Sequence, residues 1–175
     1  MKHLILIGIL LLGACEPHET KKGAQSKIHL LYIDTSKYAI LKFNSKNDSG
    51  LFDNRCKPAI LTADDIDQIE KIIADTVKGY NNLIRKNNQN YNLGYSFINR
   101  PDNYYKQFIT VSNLQGEKEV WVNCFCYNYL KANGQDADYW KKGIIRVNDG
   151  GNCFFQLKIN LTRNVLKEFN VNGLA

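Results

Sequence analysis

Apolar and polar positions alternate along this chain with two periods. Between Thr62 and Lys86 the apolar side chains Ile66, Ile69, Ile73, Val77, Tyr80 and Ile84 fall at helical spacing and trace one stripe. Asp64, Asp67, Lys71 and Lys78 lie mostly off that stripe. Thr62 is a good N-cap, and Asp65 completes a capping-box pattern. One long helix is therefore predicted, ending near Lys86 before the Asn-rich stretch 87–92. Elsewhere the period is two. Residues 28–33 and 38–43 are rich in β-branched and aromatic types around the turn Asp34-Thr35-Ser36-Lys37, and read as a hairpin. Residues 44–61 read as a loop. Residues 104–112 and 118–127 flank Asn113-Leu114-Gln115-Gly116-Glu117 as a second hairpin. On its second strand Val120, Val122, Cys124 and Cys126 share one face; Trp121, Asn123, Phe125 and Tyr127 share the other. Residues 144–148 and 153–159 flank Asp149-Gly150-Gly151-Asn152, a third hairpin signal. Residues 165–171 read as a last strand after Thr162-Arg163-Asn164, with a short helix as the alternative.

Hairpin, helix, then meander predicts an α+β fold: one long helix packed on an antiparallel sheet of about five to seven strands. No internal repeat is visible, so residues 27–175 read as a single domain. In element order alone, the outline is similar to the cystatin-like topology, in which a long helix is wrapped by a meander. The inhibitory hairpin loops of true cystatins have no copy here, since Leu114-Gln115-Gly116 is too short a match. Fold alone does not define function.

The amino terminus carries a different pattern. Lys2 and His3 form a short basic start, and residues 4–12 are apolar except for Gly8. That run falls short of the ~20 residues needed to span a bilayer. It fits the core of a secretory signal followed by small residues. Leu12-Gly13-Ala14-Cys15 resembles the lipobox of bacterial lipoproteins. The resemblance implies that residues 1–14 are a signal peptide and that Cys15 is acylated as the mature first residue. It also implies that the protein is lipid-anchored in a bacterial cell envelope, facing the periplasm or the surface. Residues 15–26 are polar and aperiodic, and read as a flexible tether. The competing expectation is an ordinary N-terminal strand or helix.

Composition adds bounds. The 175 residues are 44% hydrophobic, 11% aromatic and 23% charged, which excludes a wholly disordered, collagen-like or multi-pass membrane chain. The formal charge is +6, and +5 without Lys2. In an envelope this makes nucleic acid an unexpected partner; it would suit anionic headgroups or acidic glycans, or simply a solvated surface. Asn occurs 21 times, which predicts well-populated polar connections.

Beyond Cys15 there are four cysteines, Cys56, Cys124, Cys126 and Cys153. An oxidising envelope allows them two disulfides, and buried free thiols are the alternative. Cys124 and Cys126 stand roughly 6.6 Å apart on one strand, at the long end for a bridge, so each suits a neighbour such as Cys153 or Cys56 better. The C-x-C spacing fits neither a zinc site nor a helix-start C-x-x-C redox motif. His29 is the one histidine in the domain, and no nucleophile elbow or phosphate loop accompanies it. Asp136 and Asp138, with Asn133 and Gly134, make a polar loop cluster too sparse for calcium. No catalytic residue, metal ligand or cofactor is assigned.

The remaining candidates are aromatic. Tyr104, Tyr105, Trp121, Tyr127, Tyr129, Tyr139 and Trp140 cluster on two neighbouring strands and the loop that follows. They read as a possible binding surface for a glycan or an envelope protein, or as a second small core beneath the loop. The favoured expectation is a membrane-tethered, non-enzymatic binding or interaction module. The alternatives are a thiol- or carboxylate-dependent envelope enzyme and an envelope assembly subunit with an exposed strand edge.

Overall fold

The computed structural model describes residues 36–87, 96–132 and 138–173, without the side chains of residues 130–132. In chain order these carry β1 (Tyr38–Leu41), β2 (Lys57–Pro58), α1 (Ala63–Asn87), β3 (Tyr105–Ser112), β4 (Lys118–Phe125), α2 (Tyr127–Ala132), β5 (Phe154–Asn160) and β6 (Val165–Val171). The strands form one six-stranded sheet ordered β1-β3-β4-β5-β6, and β2 pairs with β3 beyond the end of β1. The fold is α+β, with one long helix against this sheet.

The capping box forms as its residue types require. The Thr62 N–H donates to Asp65 Oδ2 at 2.7 Å, and the Asp65 N–H donates to Thr62 Oγ1 at 3.2 Å. Asp64 and Asp65 sit in the first turn of α1 and Arg85 and Lys86 in its last, each complementing the helix dipole. Ile66, Ile69, Ile73 and Val77 are buried against Phe108, Val120, Val122, Phe155, Leu157 and Ile159 of the sheet. Each such side chain contributes about 1.5–3 kcal/mol, against about 1 kcal/mol for a cap, so packing holds the helix and the cap sets its start.

A fully buried ammonium lies in this interface. Lys106 is fully buried, with its ammonium 3.1 Å from Glu70 and 5.5 Å from the centre of the Tyr38 ring. The Tyr38 hydroxyl donates to the same Glu70 oxygen at 3.0 Å. An ammonium at that depth needs such partners, because an unpaired buried charge costs about 3–5 kcal/mol.

The β3–β4 hairpin forms in the expected place. Asn113 Oδ1 accepts the N–H groups of Gln115 and Glu117 at 3.0 and 2.9 Å, and Gly116 takes φ +78°, which favours glycine. Residues 165–171 form the last strand, at one edge of the sheet. Its edge is blunted by Lys167, Glu168 and a register shift opposite Lys158/Ile159.

Three local expectations change. Of the first hairpin, residues 28–33 lie outside the described residues; the second strand forms as β1 and pairs with β3 in parallel. The chain between them is long and contains α1, and a parallel pairing needs such a crossover. Residues 144–148 are not a strand. Both edges of β5 are taken by β4 and β6, so no ladder is open to them. Gly150 and Gly151 adopt φ of +93° and +54° within an irregular turn rather than a hairpin. A side chain at Gly150 would meet the Phe154 ring at 2.6 Å. Finally, β4 stops at Phe125, and Tyr127 opens the short α2. Cys126, between the two, is tied to Cys153 twice, by a disulfide and by its N–H donating to the Cys153 carbonyl at 3.0 Å.

Asp65 also receives the Lys118 ammonium at 2.7 Å. Burial pushes its carboxyl up, but the hydrogen bonds from Lys118 and Thr62 outweigh this and leave its pKa below the ordinary value. Its stabilisation is therefore fully present above the unfolded-state pKa and is lost as pH falls through the folded-state value. Asp65→Asn is expected to be less stable than the native chain near neutrality, with the gap closing below about pH 4. Urea unfolding across that range measures it; a gap that stays constant with pH contradicts the assignment.

Candidate functional site

The face of the sheet away from α1 is built around amides. Gln107 on β3, Asn123 on β4 and Gln156 on β5 stand opposite one another in register. Gln107 Oε1 accepts from Asn123 Nδ2 at 3.0 Å and from the Ile145 N–H at 2.9 Å. Gln107 Nε2 donates to the carbonyls of Trp140 and Gly143. Asn123 Nδ2 also donates to the Ile145 carbonyl at 2.9 Å. Gln156 Nε2 reaches Asn123 Oδ1 at 3.4 Å and Asn172 Oδ1 at 3.2 Å, and Asn172 Nδ2 donates to the carbonyls of Val147 and Asp149. The row thus supplies the hydrogen bonds that residues 140–149 would otherwise lack. It lays that segment flat on the sheet.

The aromatic candidates pack mainly beneath this cover. Trp140 is only 1% exposed; its ring meets Tyr105 and Phe125 edge-on at 5.2 and 5.8 Å. Tyr129 and Tyr139 are half-buried in the same cluster, and Tyr129 meets Phe154 at 4.9 Å. Trp121 is half-buried in a separate cluster with Phe43, Phe52, Ile109 and Val111. Tyr104 belongs to the opposite face: it packs on Phe155, its hydroxyl donates to the Asn152 carbonyl at 2.9 Å, and burial pushes its phenol up to about 12. Of the seven, Tyr127 alone is exposed, stacked on Tyr105 at 5.9 Å. A continuous aromatic platform does not form, because the segment carrying Trp140 covers it.

The cysteines divide. Cys126 and Cys153 form a disulfide, while Cys56 and Cys124 are free and buried. Burial pushes the Cys124 thiol far up. Burial, then the charges of Asp53 and Glu119, push the Cys56 thiol up as well. A nucleophilic thiol needs the opposite shift. Glu117 and Glu119 share Asn113 as a donor and are tied to Arg163 and to Lys167, respectively. Asp138 pairs with Lys141 at 2.9 Å. His29, Asn133, Gly134, Asp136 and Cys15 lie outside the described residues.

What the sequence reading missed is a cleft of about 430 Å³ beside the cluster of Phe43, Phe52, Ile109 and Val111. Leu41, Ile109 and Ile144 give it an apolar lining. One wall is the turn after β1, where Asn44 Oδ1 accepts the Lys46 N–H at 3.0 Å and the buried Asp48 carboxylate accepts the Asn44 N–H at 2.8 Å. The other wall is residues 142–146, held from below by Gln107 through Gly143 and Ile145. Lys42, Lys142 and Arg146 are exposed and line the cleft. Lys42 and Arg146 form no ion pair with a described residue. A second cleft, of about 360 Å³, lies between the C-terminal half of α1 and residues 98–101. There Arg85 sits over the Phe97 ring and Arg100 faces Asp102. Among the described residues no cluster of three His, Cys, Asp or Glu side chains is placed to hold a metal, and no helix is long and apolar enough to cross a membrane. Comparison with family models, curated proteins and solved structures finds no match to this chain.

Gln107 is the key to the first cleft's wall. Gln107→Leu leaves the Ile145 N–H, the Trp140 and Gly143 carbonyls and the Asn123 amide short of a partner. At about 1–3 kcal/mol for each buried unsatisfied group, a loss of at least about 3 kcal/mol is expected in urea unfolding. A change within about 0.5 kcal/mol, the range of an ordinary surface substitution, contradicts this role.

Proposed function

We propose that this chain is a lipid-anchored cell-envelope protein that binds a ligand in the cleft between the turn after β1 and residues 142–146, without itself performing chemistry. The observation that carries the binding role is the cleft's preformed geometry. Each wall is fixed by hydrogen bonds within the protein, Asp48 to Asn44 on one side and Gln107 to Gly143 and Ile145 on the other. Its volume of about 430 Å³ lies in the range of small-molecule sites, and a rigid site loses little order on binding. The anchor rests on Leu12-Gly13-Ala14-Cys15. The Cys126–Cys153 disulfide supports an oxidising compartment, and closing a loop of that length contributes about 3–4 kcal/mol.

Two readouts in living cells test this together. An alkyne-tagged fatty acid should label the chain and fail to label Cys15→Ala. A photo-crosslinking residue in place of Ile144 should give a defined adduct, whereas the same residue in place of Leu83, on the exposed face of α1, should not. Labelling that survives Cys15→Ala overturns the anchor. Equal or absent adducts at the two positions overturn the binding site.

A further inference from the structure

Resting on that reading of the cleft, we infer that its ligand is a phosphorylated sugar or polyol, with the phosphate held at the rim between Lys42 and Arg146. Both cations line one concavity, and neither forms an ion pair with a described carboxylate. Walls of low dielectric focus their field into that space. The second cleft is cationic as well, through Lys78, Arg85 and Arg100, but there Arg85 lies over the Phe97 ring and Arg100 faces Asp102.

The lining also orients the ligand. Asn44 Oδ1 is occupied by the N–H groups of Lys46 and Asn47, which leaves its Nδ2 as a donor. Asp48 is the one carboxylate in the lining, and it is only 5% exposed. Its charge repels an anion placed deep in the cleft, so the phosphate belongs at the rim with the cations. The uncharged body then rests on Leu41 and Ile144, with its hydroxyls near Asn44 and Asn47. The space of about 430 Å³ is far larger than a bare phosphate ion fills, since one water occupies about 30 Å³ of liquid. A free sugar phosphate and the headgroup of an anionic phospholipid offer this same chemistry.

The test uses the full lipidated chain in phosphatidylcholine nanodiscs, titrated calorimetrically with a glucose monophosphate and with glucose. The phosphate ester should bind and glucose should bind at least about tenfold more weakly, the loss of one rim ion pair. Lys42→Glu with Arg146→Glu should weaken the ester at least about tenfold by the same argument. Lys71→Glu with Lys86→Glu, the same charge change on exposed positions of α1, should leave binding unchanged. In phosphatidylglycerol nanodiscs, suppressed binding of the ester identifies the headgroup as the natural source; retained binding identifies a soluble ligand. Either result supports the inference. Glucose binding as tight as the ester, or equal weakening by both charge-reversed pairs, overturns the phosphate assignment while a cleft-specific crosslink at Ile144 still upholds the site. No binding of the ester overturns the inference; if the crosslink is also absent, the proposed function falls with it.

Discussion

A row of amide side chains crossing one face of the sheet is the interaction on which the rest of this structure depends. Buried amides are costly unless their donors and acceptors are used, and here they are used almost fully. Gln107 fills both donor and both acceptor positions, with Asn123, Ile145, Trp140 and Gly143. Remove that row and residues 140–149 have backbone groups facing a sheet whose central strands already pair with each other. The segment lies where it does because side chains supply what a neighbouring strand would have supplied.

The two faces of the sheet are therefore held by different means. Toward α1 the contact is aliphatic and aromatic packing, with Lys106 and Glu70 as its ionic inclusion. On the other face apolar clusters stand on either side of the polar row: Trp140 with Phe125 and Phe154, and Phe43 with Phe52, Ile109 and Val111. Packing tolerates small shifts in position, whereas a hydrogen-bonded row sets register. That difference matters for the cleft. Its wall alternates between Gly143 and Ile145, which face the amides with their backbone, and Ile144 and Arg146, which line the opening.

How much of this was legible in the sequence depended on whether a feature was local. The capping box at Thr62 and Asp65, the apolar stripe of α1 and the Asn113–Gly116 turn are set within a few residues, and each formed as read. Residues 144–148 read as a strand because they precede the turn signal Asp149-Gly150-Gly151-Asn152, and an apolar segment pressed flat on a sheet looks the same locally. Only the occupied edges of β5 exclude the pairing, and sheet order is not visible locally. Asn was read as a loop residue. In the structure Asn81, Asn123 and Asn172 instead clasp distant backbone carbonyls, at Ile98, Ile145 and Val147. The cleft was invisible for the same reason: Lys42 and Arg146 come to line one cleft only through the parallel β1–β3 pairing and the amide-held segment. Cysteine pairing was open among several mates until Cys153 was placed beside the end of β4.

The claim that side-chain amides fix residues 140–149 as firmly as a strand is tested most directly by native-state hydrogen exchange at the Ile145 amide. If Gln107 holds it, that N–H exchanges only through the global opening that also exposes Val122 in the middle of the sheet. Protection approaching that of Val122 is the result this account requires. Exchange as fast as at an unprotected amide would contradict it, and would leave the cleft without a fixed wall.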